Sequence, residues 1–269
     1  MRRSCVVALA CLALAGCTSA PKAPEAAVSD LAPSGRLRAG INLGNPVLAS
    51  RDASGEPQGV SVDLARELAK RLGVPVELIT FDAAGKVVEA GKSGGWDIAF
   101  VALDPARAAE IAQSTPYVVI EGAYLVREDS PIRANAEVDR AGNRVAVGKG
   151  SAYDLFLTRS LKQATLMRSE TSGGTVDFFM KEKLEVAAGV KQQLEADAKR
   201  VPGVRILPGR FMVINQAMAS QRIAGTRGIA GARYVRDFVE EMKASGFVAR
   251  ALERHRIQGA AVAPAGDPK

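Results

Sequence analysis

The sequence predicts an α/β protein of two lobes, each a mostly parallel sheet flanked by helices, and three observations carry that expectation. Residues 36–41, 74–81 and 96–103 read as strands separated by helical patterns, a β-α-β-α-β rhythm that sets strands side by side with helices on both faces. The rhythm returns in shorter elements between 144 and 214, enough for a second, smaller lobe. The chain has 269 residues, and removal of a 16-residue leader leaves 253, a length that suits one large domain or two lobes with modest cores.

The elements follow in order. A strand begins near Arg36, and 42–59, rich in Gly, Asn, Asp, Ser and Pro, reads as an extended loop. Ser61 or Asp63 is placed to cap a helix whose Leu64, Leu68 and Leu72 recur every four residues, with Gly73 and Pro75 as its stop and Arg66, Lys70 and Arg71 on its wet side. A strand to Phe81, a short helix near 86–92 and a strand over 96–103 complete the first half. In the second, 144–147 is a strand and 153–163 a helix with Phe156, Leu157 and Leu161 inward; 166–168 and 184–190 are short strands around a helix at 176–182. A helix over 191–199 is broken by Pro202-Gly203, 211–214 returns to strand, and helices over 229–245 and 247–255 close the chain, with Tyr234, Phe238 and Met242 on one face. Trp96 and Phe178-Phe179 read as core.

Arg2 and Arg3, an apolar run from Cys5 to Ala15 and the tetrad Leu14-Ala15-Gly16-Cys17 look like a lipoprotein signal peptide, cut before Cys17, which would then carry lipid. The apolar run falls well short of the roughly 20 residues that span hydrocarbon. No later segment is apolar enough to span either, so membrane attachment is expected through the lipidated Cys17 alone, on the periplasmic side. Residues 17–34, dominated by Ala, Pro and Ser, are expected to be a flexible tether, and 258–269 a flexible tail. Cys5 and Cys11 leave with the leader, so no disulfide is available to the body.

The formal charge of +7 becomes +5 without Arg2 and Arg3, and the basic residues are scattered among acids rather than clustered, which argues against a nucleic-acid surface. His255 is the only histidine, too little for a catalytic triad or a metal cluster, and it reads as part of a wet helix terminus. No cofactor is expected.

Gly59-Val60-Ser61-Val62-Asp63-Leu64-Ala65 with Leu72-Gly73, then Trp96-Asp97-Ile98-Ala99, then Arg107 before Ile111 and Thr115-Pro116-Tyr117 resemble, in order and spacing, the bacterial extracellular solute-binding proteins of family 3, the polar amino acid type that serves ABC importers. The resemblance runs from about Gly35 to Arg256. It implies a periplasmic binding protein-like clamp of type II, with a first lobe of residues 35–126 and 215–257, a second of 127–214, crossings at 124–127 and 211–216, and a monomer that closes on a solute between the lobes and docks on a permease.

The resemblance also implies that Arg107 holds a carboxylate. Asp104 can cap a helix that starts at Pro105, so an anion there would meet a guanidinium fork near free backbone N–H groups. Against the family pattern, Ala102 stands where a hydroxyl is common and Phe100 where another can occur. No acid stands near Val190, where the family places the aspartate for a ligand's amino group, so a standard α-amino acid is a poor fit. Asn45 and Ala84-Gly85 replace the aromatic platform, leaving Asn42, Asn45 or Asp82 to give polar character. Ser151, at the start of the second-lobe helix after Gly150, is either cleft hydroxyl or helix cap; Arg168 is either ligand contact or interlobe ion pair; Glu185 is the acid available to replace the missing one. The expected role is a binding protein for a small polar, carboxylate-bearing solute, not an enzyme. An accessory or sensor lipoprotein fits the same clamp, as does a dehydratase using Glu185 or Glu170 as its acid.

Overall fold

A computed structural model describes residues 22–221 and 228–266; the leader, Cys17 and the start of the expected tether lie outside the described residues. The chain enters through α1 (Glu25–Leu31) and β1 (Leu37–Asn42), a small hairpin of β2 (Ser50–Arg51) and β3 (Pro57–Gln58), α2 (Val60–Leu72), β4 (Val76–Phe81), α3 (Ala84–Lys92), β5 (Ile98–Ala102) and the single turn α4 (Pro105–Ala108). The long β6 (Ile111–Arg127) leads to the second lobe, built of β7 (Arg144–Gly148), α5 (Ala152–Ser160), β8 (Thr165–Ser169), α6 (Thr175–Lys181), β9 (Val186–Val190), α7 (Lys191–Arg200) and β10 (Val204–Ile206). β11 (Met212–Gln221) returns to the first lobe, which α8 (Ile229–Ala244), α9 (Phe247–Arg254) and β12 (Ala261–Val262) complete.

Strand order is β4-β1-β5-β11-β6-β9-β7-β8. β4, β1 and β5 run parallel in one lobe and β9, β7 and β8 in the other, as the rhythm predicted, with β11 and β6 antiparallel between them. β6 serves both lobes: its first part pairs β11 and its last residues pair β9. The changeover falls at Gly122, which faces both Met212 and Val190, slightly ahead of the crossing expected at 124–127. Tyr124 stacks on Phe211 there, ring centroids 4.2 Å apart, and fastens the two crossings to each other.

Leu64, Leu68 and Leu72 are buried as their spacing predicted. The cap of α2 differs: Gly59, not Ser61 or Asp63, precedes the helix, at φ 122°, where any Cβ would collide with the Leu48 carbonyl. Ser61 instead lies 3.1 Å from the Tyr117 hydroxyl, and Asp63 accepts from Arg254 and faces His255 Nε2 at 2.9 Å. His255 is therefore half-buried against α2 rather than wet. Arg71 likewise leaves the solvated face and reaches Glu241 of α8 at 2.5 Å over the Phe238 ring.

Two segments expected to be flexible are folded. Within 17–34, α1 buries Ala27 and Leu31, four residues apart and so on one face, against α8, where Asp30 accepts from the Gly231 N–H at 3.0 Å. Within 258–269, β12 pairs with β6 and Ala263 N–H bonds the Tyr117 carbonyl at 3.1 Å. Short Ala/Val runs are enough once a neighbour supplies the partner surface, which a reading from composition overlooks. Among the described residues, no helix is long and apolar enough to cross a membrane, and no three metal-ligating side chains stand together.

Candidate ligand cleft

The cleft forms where the parallel strands of both lobes end, the usual place for a site in an open α/β sheet. Asn42 ends β1, Ala102 ends β5, Val190 ends β9, and Ser151 follows the end of β7; all four line one cavity of about 30 Å³. That is room for little more than a water or two, and contacts between the lobes close around it.

Arg107 is the charged residue of this lining, and it is 2% exposed. Asp104 caps α4 as expected, accepting from Ala106 N–H at 2.9 Å with Pro105 at the first helical position. With only Pro105–Ala108 helical, the turn is too short to contribute much dipole, and the positive field at the cavity comes from the guanidinium. Arg107 donates Nη1 to the Ala102 carbonyl and Nη2 to the Gly150 carbonyl, both at 2.8 Å, while Nε is buried with no partner. Burial pushes its pKa down to about 10, which leaves it a cation near neutrality.

The bond to Gly150 spans the lobes. Beside it Arg159 of α5 donates to both carboxylate oxygens of Asp104, the closer at 2.7 Å, with the Asp104 side chain 5% exposed. Gly85 and Gly150 meet between these contacts, so closely that a Cβ on Gly85 would lie 2.9 Å from the Lys149 carbonyl. Admission of any solute larger than water must part these contacts.

The sequence-derived candidates divide. Arg107, Ala102, Asn45 and Ser151 line the cavity. Ala102 contributes a carbonyl that accepts from both Arg107 and Gln113. Asn45 is 6% exposed, and its Oδ1 is buried without a partner. Ser151 is the helix cap, accepting from Asp154 N–H at 3.0 Å; the Gly150 N–H donates to Asp154 Oδ2, and the Gly150 carbonyl accepts from Arg107. Ser151→Ala is expected to lower unfolding free energy by about 1 kcal/mol in denaturant titration, the usual value of such a cap.

Glu185, Asp82 and Arg168 do not reach the cavity. Glu185 precedes β9, whose far end carries Val190, about 16 Å away at the rise of an extended strand. It pairs with Arg144 at 2.8 Å, which holds its carboxyl below the usual range. Asp82 turns to Lys86 at 2.8 Å and is half-exposed. Arg168 binds Asp154 at 3.0 Å and Thr158 at 2.9 Å, both in its own lobe, rather than a ligand or the other lobe. Glu170 is exposed and outside the lining, so neither acid named for a dehydratase stands at the cavity. Sequence reasoning passed over Gln216, 6% exposed on the lining, whose signal was a lone amide just before the apolar run Ala217-Met218-Ala219 of a buried strand. Ser172 and the Tyr153 ring complete the polar wall, and burial raises the Tyr153 phenol despite the hydroxyls of Ser172, Ser151 and Thr175 around it.

The family model for bacterial extracellular solute-binding proteins, family 3, matches residues 37–256. No curated protein sequence matches the chain. Among solved structures it is similar to the solute receptors for L-cysteine of Neisseria gonorrhoeae, with 26% identity and a TM-score of 0.73 over 86% of this chain and 95% of that one. A mutant of ArgBP from T. maritima gives 20% identity and a TM-score of 0.72 over 86% and 99% of the two chains. The ancestral amino acid-binding protein AncCDT-1, described as a precursor of cyclohexadienyl dehydratase, gives 21% identity and a TM-score of 0.69 over 84% and 98%. The match to nearly the whole folded body, on a two-lobed clamp with its cleft at the strand ends, places this chain in the bacterial extracellular solute-binding proteins, family 3, as an extracytoplasmic solute-binding protein of import rather than an enzyme.

Proposed function

We propose that the protein is a lipid-anchored receptor, tethered through Cys17 on the periplasmic side of a bacterial membrane, that delivers a small carboxylate-bearing solute lacking an ammonium group to an ABC permease. The observation that carries this reading is the buried Arg107 at a cavity whose lining has no carboxylate. A guanidinium with an unpartnered N–H in a water-poor cleft favours a carboxylate, which matches its fork, and disfavours a second cation. Relatives named for L-cysteine and arginine binding imply amino acid ligands; Val190 at the end of β9 gives an ammonium nothing to pair with, and the ligand class shifts accordingly. The lobes would open to admit the solute and re-form the Asp104–Arg159 bridge around it, the closed shape being what a permease reads.

The test is a thermal-shift screen of the purified protein against amino-free carboxylates, α-amino acids, amines and inorganic anions. A ligand that binds only the native state raises the melting temperature, by an amount that grows with its concentration over Kd. The expected result is a shift with amino-free carboxylates alone. A shift confined to α-amino acids would refute the reading.

A further inference from the structure

The composition of residues 17–34 suggests one long tether, and the fold takes most of it back. α1 is fastened to α8 by the buried Ala27 and Leu31 and by the bond from Gly231 N–H to Asp30, and the described body already begins at Lys22. From Cys17 to Lys22 the chain advances five residues (22 minus 17), which reach at most about 18 Å when fully extended. A compact chain of this length has a radius of gyration of about 18 Å, so the body is wider than the leash is long. Granted lipid on Cys17, the reading on which this inference rests, the body cannot turn its far side to the bilayer, and the end where α1 begins stays next to it.

At that end α1 and the first turns of α8 enclose an open groove of about 450 Å³, lined by Pro24, Ala27, Ile229, Ala230 and Tyr234, with the exposed Arg233 and Asp237 beside them. The α8 members lie at helical spacing and share one face. Ile229 is 60% exposed, the most of any large apolar side chain among the described residues. One exposed isoleucine is ordinary, but one that borders an apolar groove marks a surface with something to cover it.

The chemistry fits a lipid surface. Isoleucine and proline gain by entering the acyl boundary, and a phenol and a guanidinium keep their polar ends at headgroup level on apolar bodies. Charge does not oppose the approach: Lys22, Arg233 and Arg236 stand among Glu25, Asp30 and Asp237, of which Asp237 faces Arg236 at 3.4 Å and Asp30 accepts from the Gly231 N–H. Little intrinsic strength is needed, because the leash holds the bilayer at high local concentration and populates a contact too weak for a free protein.

We propose that the groove between α1 and α8 is a membrane-facing surface, with Ile229 and Tyr234 seated at the headgroup boundary of the bilayer that holds Cys17, so that the anchored receptor keeps one side of its first lobe on lipid.

The experiment uses the full-length lipidated protein in phosphatidylethanolamine/phosphatidylglycerol vesicles, with and without brominated acyl chains, which quench a fluorophore only on near contact. Cys5 and Cys11 leave with the leader and the Cys17 sulfur carries lipid, so one introduced cysteine takes the probe: Ala26→Cys, exposed on α1 beside the groove, or Lys181→Cys, its side chain 82% exposed on α6 of the second lobe. Bromine is expected to quench the probe at 26 about twofold and to leave the probe at 181 unchanged. Ile229→Asp, at an exposed first helical position where an acid suits the helix dipole, is expected to abolish the quenching at 26 without unfolding the protein. Equal quenching at the two positions, or none, in vesicle-bound protein would overturn the proposal and leave the anchor standing. Quenching at 26 that survives Ile229→Asp would assign it to the leash alone and overturn the part given to the groove. Emission at 26 that follows protein concentration and not bromine would put a second copy in the groove, and would overturn the lipid assignment. Protein that does not float with the vesicles and whose mass lacks acyl chains would overturn the anchor and the proposal together.

Discussion

Arg107→Leu weakens carboxylate binding by about thirtyfold or more while the protein stays folded, its unfolding free energy moving by no more than about 1–2 kcal/mol. Removing one member of a buried, hydrogen-bonded charge pair costs about 2–5 kcal/mol, which at 1.4 kcal/mol per decade is a loss of some thirtyfold to several thousandfold in affinity. The stability side is smaller because opposing changes meet. Leucine leaves the Gly150 carbonyl without its bond, and the Ala102 carbonyl keeps Gln113. Against that loss, a desolvated cation with an unpartnered Nε disappears, and replacement of buried charge by an apolar side chain of adequate volume is often neutral or stabilising. Arg107→Lys separates charge from shape: an ammonium keeps the sign but cannot form two parallel bonds to a carboxylate, so binding falls to an intermediate level. Calorimetric titration beside urea denaturation reads both quantities. Unaltered affinity in Arg107→Leu would remove the residue from the site, and unfolding of both variants would assign it to the scaffold.

The split between binding and stability mirrors what could be read in the sequence. Regular elements were legible because their signals are local: Leu64, Leu68 and Leu72 at helical spacing, Pro105 after Asp104, glycines at the stops. The signature runs were legible too, although part of their chemistry is structural; Asp97 of the Trp96-Asp97 pair clamps β1 through the Arg38 backbone and guanidinium. What failed needed a neighbour distant in sequence. Glu185 lies just before β9 and Val190 at its end, and only the direction of β9 decides which end faces the cleft. Whether Ser151 faces the cleft or caps α5 could not be told apart locally, and the Gly150 carbonyl beside it meets Arg107 from the other lobe. α1 and β12 have compositions typical of linkers and become ordered by α8 and β6, which lie far from them in the chain.

Trp96→Ala is the scaffold substitution with the largest expected cost, about 3–5 kcal/mol of a total that for domains of this kind is about 5–15. Trp96 is 0% exposed and donates Nε1–H to the Val87 carbonyl at 2.7 Å, so alanine both empties a large volume and removes a buried hydrogen bond. The surroundings cannot close over the gap. Two of the facing positions are glycines shaped to the indole, Gly91 so tightly that a Cβ there would sit 2.6 Å from the ring and Gly40 at 3.1 Å, and neither has a side chain to swing inward. Trp96→Phe retains most of the packing and loses the N–H bond, and is expected to cost about 1–2 kcal/mol. Because Trp96 is the only tryptophan, its fluorescence follows unfolding of the unaltered chain, and circular dichroism must serve for the variants. The damage should propagate to the cleft, since the indole lies between α3, which begins at Ala84, and β5, which ends at Ala102, both on the cavity wall. A Trp96→Ala protein that retained full stability would mean that this corner is far more plastic than its packing implies. One that lost stability but kept ligand affinity intact would show that Ala84 and Ala102 are held in place by the strands and the opposite lobe alone.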